Sequence, residues 1–127
     1  MKWVFRQDAP IYTQLMDQFC LAIASGLYRP GERLRAVRDL AAEAGVNPNT
    51  MQRALSELER QGLVYSQRTA GRFVTEDPDR IAGAKRDLAE AKLRDFLGSM
   101  ATLGYNREDI LTLIRESEGT ENGDSGM

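Results

Sequence analysis

The run Gly45-Val46-Asn47-Pro48 constrains this chain more than any other stretch. Asparagine is a strong helix N-cap, because its side-chain oxygen takes up an orphan N–H of the first turn. Proline suits the next position, having no N–H to satisfy and a φ already close to helical. Val46 and Met51 occupy the two places of a hydrophobic staple, which sets the angle at which the chain enters the helix. Gly45 is the residue expected just past the end of a preceding helix. One helix therefore stops, three residues turn, and another helix starts. The spacing predicts a short helix over about Val37 to Ala44, with Val37, Leu40, Ala41 and Ala44 on one face. A second runs from Pro48 to about Gln61, closed by Gly62. Its apolar positions, Met51, Ala54, Leu55 and Leu58, follow an i, i+3, i+4, i+7 pattern. The opposite side carries Asn49, Gln52, Arg53 and Ser56.

Upstream, Ile11, Leu15, Phe19, Ala22 and Ile23 mark one face of a helix with Pro10 in its first turn and Gly26 at its end. Pro30-Gly31 signals a turn, and Glu32-Arg33-Leu34 suits a very short strand. Downstream of Gly62 the pattern changes. Leu63 to Ser66 and Phe73 to Thr75 read as two strands, joined by a basic link that carries Arg68 and Arg72 around Gly71. The acidic, proline-bearing Glu76 to Asp79 segment is a boundary. A long helix over about Asp79 to Leu103 follows, with Ile81, Ala84, Leu88, Ala91, Phe96, Met100 and Leu103 along one side and Leu93 and Leu97 beside it. Gly104-Tyr105 breaks it. Asn106 caps a last helix that runs to about Arg115, with Glu108 and Asp109 in the first turn, where the helix dipole favours them. The tail from Glu118 is polar and glycine-rich, the composition of a disordered end. The expected organisation is 1–77, 78–117 and a tail over 118–127.

Composition removes whole classes of function. The chain has 127 residues, room for one small domain and an extension. Histidine is absent, which eliminates His-mediated base catalysis, Ser-His-Asp triads and His-containing metal sites. The single cysteine, Cys20, can form no internal disulfide and sits among apolar neighbours, as a small hydrophobe would. No paired carboxylates, nucleophile–base set, P-loop or dinucleotide fingerprint is visible, so neither an enzyme nor a cofactor or metal is expected. No window nears the length of a membrane span, and the N-terminus is no signal peptide, so a cytoplasmic protein is expected. There are 17 Lys and Arg against 19 Asp and Glu. The acidic total hides a split. Residues 29–72 hold eight arginines and five acids, whereas residues from 78 onward hold seven basic residues and ten acids.

Helix, short helix, glycine turn, capped helix and hairpin make a winged helix-turn-helix, and the fold class is mainly α with a small β-hairpin. In this motif the N-terminal residues of the second helix reach base edges in the major groove. Amides can pair bidentately with adenine and arginine with guanine. Asn49, Gln52 and Arg53 are free to do so, and Arg68 and Arg72 on the wing suit phosphate or the adjacent minor groove. The segment from Ala9 to Val74, with PIYTQLMDQFCLAIASGLYRPGERL, AVRDLAAEAGVNPNTMQRALSELERQGLV and a hairpin ending GRFV, resembles the GntR family of bacterial transcription regulators. The string Val46 to Leu55 and the short C-terminal helices resemble its YtrA-type branch. The resemblance implies DNA contacts at Arg38, Asn47, Asn49, Thr50, Gln52 and Arg53, with the wing-tip glycine at Gly71. Two departures stand out. Arg35-Ala36 replaces the family's Pro-Ser, with Arg35 offering a charge in place of the serine, and a second wing glycine is missing.

The C-terminal helices carry an apolar stripe, including Leu88, Phe96, Leu97 and Met100, that a winged domain does not need for its own core. A second copy of the chain is the expected cover, with Trp3, Val4 and Phe5 at the same interface. A homodimer would match a palindromic double-stranded operator. The expected function is a DNA-binding regulator, a repressor acting as a homodimer. A winged-helix module for protein contact is the alternative, for which an apolar or acidic outer face on the third helix would be needed. A small-molecule effector is left open, since no motif identifies one.

Overall fold

Apolar residues at helical spacing in three successive helices meet in one core. The computed structural model describes residues 1–121. Helix α1 spans Ile11–Ser25, α2 Val37–Ala44 and α3 Pro48–Arg60. Strands β1 (Val64–Gln67) and β2 (Gly71–Val74) follow, then α4 (Pro78–Thr102) and α5 (Arg107–Glu121). This is a winged helix-turn-helix with two additional C-terminal helices. The chain divides into two compact units, Met1–Ala89 and Glu90–Met127.

In the first unit, Leu15, Phe19 and Ile23 of α1, Leu40 and Ala41 of α2, and Met51, Ala54, Leu55 and Leu58 of α3 are all buried. Leu34, Leu63, Val64 and Val74 close the core from the hairpin side. Each such large side chain contributes about 1.5–3 kcal/mol by leaving water. Ile11 departs from the expected stripe and is 39% exposed. It lies at the very start of α1, because Pro10 is not in the first turn but is the N-cap itself, with ψ 140.

The predicted helix-turn-helix junction forms as expected. Gly45 ends α2 at φ 72, and its N–H reaches the Ala41 and Ala42 carbonyls. That left-handed conformation strains any side chain with a Cβ. Asn47 Oδ1 then accepts from the Asn49 N–H at 2.7 Å.

β1 and β2 are antiparallel, pairing Val64 with Val74, Tyr65 with Phe73, Ser66 with Arg72 and Gln67 with Gly71. The strands extend further towards the tip than expected, leaving only Arg68, Thr69 and Ala70 in the turn. The Ala70 N–H bonds to the Gln67 carbonyl at 3.0 Å. Thr69 holds a φ of 67, which a turn of this kind usually gives to glycine or asparagine. The short strand expected at Glu32 to Leu34 is a single bridge, Arg33 to Phe73, flanked by bonds from Leu34 N–H to Arg72 O and from Val74 N–H to Glu32 O, both 2.9 Å.

Residues 3–9 form a strap along α1. Gln18 accepts from the Val4 N–H at 3.2 Å and donates to its carbonyl at 2.7 Å. One turn earlier, the buried Gln14 does the same for Arg6, at 2.7 and 2.8 Å, and also donates to the Ala9 carbonyl. Two amide side chains thus imitate a neighbouring strand. They lay Trp3 edge-on against Phe19, with ring centroids 5.1 Å apart, and Phe5 parallel to Trp3. Trp3 and Phe5, expected at a dimer interface, are half-buried against the core of their own unit, and Val4 is 66% exposed.

Asp77 starts α4 by the same device that starts α3. Its carboxylate accepts from the Asp79 N–H at 2.9 Å, and proline fills the first helical position. The boundary expected at Pro78 is therefore a helix start, while the first unit continues to Ala89. Ile81 and Ala84 pack against its core. Cys20 is half-buried, and burial pushes its thiol up to about 11.

The second unit holds the end of α4, a break at Gly104 and α5. Asn106 and Asp109 exchange backbone bonds, each side chain accepting from the other's N–H at 2.9 Å, a reciprocal cap. Ile110 is buried, whereas Leu93, Leu103, Leu111, Leu113 and Ile114 are exposed. Helix α5 passes the expected end near Arg115 and reaches Glu121, so residues 118–121 of the expected tail are helical. The rest of that tail, 122–127, lies outside the described residues. Among the described residues no helix is long and apolar enough to cross a membrane.

Candidate nucleic-acid interface

The core commits one side of α3, and so defines the other. With Met51, Ala54, Leu55 and Leu58 fully buried, the helix turns Asn49, Gln52, Arg53 and Ser56 to solvent. Thr50 is half-buried at the edge of that face. In the first turn, Pro48 brings no N–H, Asn49 N–H is capped, and Met51 N–H bonds to the Asn47 carbonyl at 3.1 Å. That leaves the Thr50 N–H as a donor without an acceptor among the described residues, at the positive end of the helix dipole. Capping uses only the oxygen of Asn47, so its amide N–H groups stay available.

Gln52 donates to Ser56 Oγ at 3.1 Å, one turn along the same face. Arg53 leans over the ring of Tyr12 from α1, its guanidinium carbon 4.0 Å from the ring centroid. Arg38, at the start of α2, and Arg68, at the wing tip, are exposed and make no ion pair among the described residues.

Two other expected contacts are engaged within the chain. Arg35 Nη1 donates to Glu43 Oε2 at 2.9 Å, and the other oxygen of Glu43 accepts from the Trp3 indole at 3.2 Å. Arg38 is left out of that pair. Arg72 Nε donates to Glu59 Oε1 at 3.0 Å, and Ser66 donates to Glu59 Oε2 at 2.6 Å. Ser66 and Arg72 are register partners, so one carboxylate at the end of α3 grips both strands of the wing. The Ser66 hydrogen bond, followed by Arg72, holds the Glu59 carboxyl below its usual range. Next to it, bonds from Arg60 and then Gln61 hold Glu57 down to about 2.

At the wing, Gly71 has φ 108, and a Cβ there would come 3.2 Å from Arg33 Nε. The Arg33 guanidinium thus lies close against the Gly71 backbone. Sequence reasoning missed Tyr12 and Glu59, and the part Glu43 plays for Arg35 and Trp3. Tyr12 sits beside the apolar stripe of α1 with nothing to mark it as a ring facing another helix. Glu59 had a signal: it lies one turn after Ser56, where α3 runs into β1.

Residues 11–74, half of the chain, match the family described as bacterial regulatory proteins, gntR family. The chain belongs to the GntR family. An uncharacterised HTH-type transcriptional regulator of Bacillus subtilis, YhcF, is 36% identical over 111 residues, covering 87% of this chain and 92% of that protein. The HTH-type transcriptional repressor YtrA of the same organism is 36% identical over 88 residues, 69% of this chain and 63% of its own length. A solved GntR family transcriptional regulator from Listeria monocytogenes superposes with a TM-score of 0.79 at 37% identity, covering 88% of this chain and 98% of that one. This GntR protein is a sequence-specific DNA-binding transcriptional regulator, and the family is one of regulators rather than enzymes.

Proposed function

We propose that this GntR protein is a repressor of the YtrA type that binds a palindromic operator as a homodimer. The observation that carries the DNA reading is the outward face of α3. Asn49, Gln52 and Arg53 are exposed there on a helix whose other side is wholly buried. In this reading Gln52 and Arg53 contact base edges, with Asn49 and Asn47 beside them. Thr50 offers its N–H to phosphate. Arg38 and Arg68 bind phosphate, and Gly71 allows the wing backbone a close approach. Arg35 and Arg72 join only by exchanging Glu43 and Glu59 for phosphate.

Dimerisation draws support from α4. None of its 25 residues is fully buried, and Phe96 is 44% exposed. Leu88, Leu97 and Met100 are half-buried. Helices owe most of their stability to packing of an apolar face, so a second copy is the natural cover. Two α3 helices would then enter major grooves about one turn, 34–36 Å, apart. Repression and the YtrA type are supported by the similarity to the Bacillus subtilis repressor.

The test is binding to duplexes selected from a random pool, across a salt series, with size by sedimentation. Arg53→Ala and Gln52→Ala should each cost about 1–3 kcal/mol and relax base preference at one position. Arg38→Ala and Arg68→Ala should weaken all duplexes alike and lower the salt slope by about 1. Equal losses on selected and random DNA for all four would refute the division of roles. A Phe96→Ser/Leu97→Ser protein should sediment as a monomer; an unchanged size would refute the dimer interface.

A further inference from the structure

We infer that Tyr12 is a positioning residue for base specificity: its ring, on α1, holds the Arg53 guanidinium ready to read a guanine edge. The inference rests on the reading of Arg53 as a base contact. Arg53 is paired differently from four other arginines of its unit. Arg35, Arg60, Arg72 and Arg80 each face a carboxylate, Glu43, Glu57, Glu59 and Asp77 respectively. A carboxylate occupies the N–H edges of a guanidinium and offsets its charge. Arg53 makes no such pair among the described residues and lies over an aromatic ring instead, 4.0 Å from the centroid.

That difference matters chemically. Stacking engages the π-face of the guanidinium and leaves its five N–H donors and its full charge available. Bidentate recognition of guanine O6 and N7 needs two of those donors side by side in the plane. A free arginine has many rotamers to lose on docking, whereas one already laid on a ring has lost part of that freedom. Tyr12 is a suitable platform because it is itself fixed. It is half-buried and packs against the core formed with Phe19, Met51 and Leu55. The ring therefore ties the orientation of a recognition side chain to α1, which carries no expected DNA contact of its own.

The experiment compares full-length wild type, Arg53→Ala, Tyr12→Leu and Tyr12→Phe on a duplex selected by the wild type and on every single-base variant of it. Arg53→Ala should flatten the preference at one guanine-containing pair per half-site. Tyr12→Leu should lower the preference at that same pair about two- to fivefold, the worth of an exposed cation–π contact. Its affinity for random DNA and its salt slope should stay those of wild type. Tyr12→Phe, which keeps the ring, should keep the profile. Should Tyr12→Leu fail to fold, Tyr12→Met carries the same comparison. A Leu or Met variant with the wild-type preference at that pair overturns the inference, as does a uniform loss over all positions and random DNA. If Arg53→Ala itself shows no position-specific loss, the base-contact reading fails and the inference falls with it. That outcome is separable, being visible in the Arg53 variant alone.

Discussion

Replacing Glu59 with alanine should make the protein less stable and its wing more strongly attracted to DNA. The carboxylate accepts from Ser66 at 2.6 Å and from Arg72 at 3.0 Å, and so closes both strands onto the end of α3. Hydrogen bonds to a charged group contribute about 1.5–3 kcal/mol when buried. Here the Arg72 and Glu59 side chains are 23% and 30% exposed, which places the pair towards the weaker, screened end. The two bonds together should contribute about 1–2 kcal/mol. In a domain of this size that corresponds to a fall in Tm of about 5–10 °C, read by circular dichroism. The freed Arg72 becomes available to phosphate. In a fluorescence anisotropy titration on random duplex, the slope of log K against log salt should steepen by about 0.9 for each added contact. Acid supplies a second reading. The Glu59 carboxyl is held below its ordinary value of 4.5, so its contribution is complete above that value and is lost as pH falls through the lower, folded one. The stability gap between wild type and variant should therefore narrow below pH 4.5 and nearly close in stronger acid. An unchanged Tm at neutral pH, or a gap that persists in acid, would refute the clamp.

Glu43→Ala should release the Trp3 indole and Arg35 together. Trp3 is the chain's one tryptophan, so its emission should shift to the red, while Tm moves little because the ion pair is exposed; an unshifted spectrum would contradict the link. Phe19→Ala removes a fully buried ring that meets both Trp3 and Tyr28, and should cost about 3–5 kcal/mol in a urea melt. Cys20, with its thiol pushed up to about 11, should react with an aromatic disulfide at pH 8 about tenfold more slowly than a free cysteine of ordinary value 9.0, the scarcer thiolate being partly offset by its greater nucleophilicity; a reaction at the free rate would mean the site is open to water.

The helices were readable because their ends are written in local chemistry. Asn47-Pro48 and Asn106 cap through their own side chains, and Gly26 and Gly45 take the left-handed conformation that ends α1 and α2. The outer face of α3 followed from its inner one by geometry alone. Asp77-Pro78 repeats the α3 signal, and reading it would have placed the α4 start one residue earlier. Other features depend on residues far apart in the chain. Glu43 meets Trp3 across forty positions, and Glu59 meets Arg72 across thirteen. An ion pair of that kind leaves no periodicity, so Arg35 and Arg72 looked like free cations. The strap was missed for a related reason. Gln14 and Gln18 are spaced to share a helix face, but nothing local says that the backbone of Val4 and Arg6 will run beside them.

A helix is a screw, and the direction in which each side chain points depends on where the thread begins. The Asn47 cap and Pro48 set that origin for α3. Starting one residue later would rotate the whole face by about 100°. Met51 and Leu55 would swing out of the core, and Gln52 and Arg53 would swing away from the solvent face. The cap therefore acts as an angular index. Its contribution to stability is modest, and it agrees with the angle that the buried Met51, Ala54, Leu55 and Leu58 impose on the same helix. A residue inserted between Gly45 and Asn47 would move the origin along the chain and leave the order of side chains on the screw intact. One inserted between Asn47 and Met51 would put the cap out of phase with the buried face, while Met51, Leu55, Gln52 and Arg53 would keep their places relative to one another.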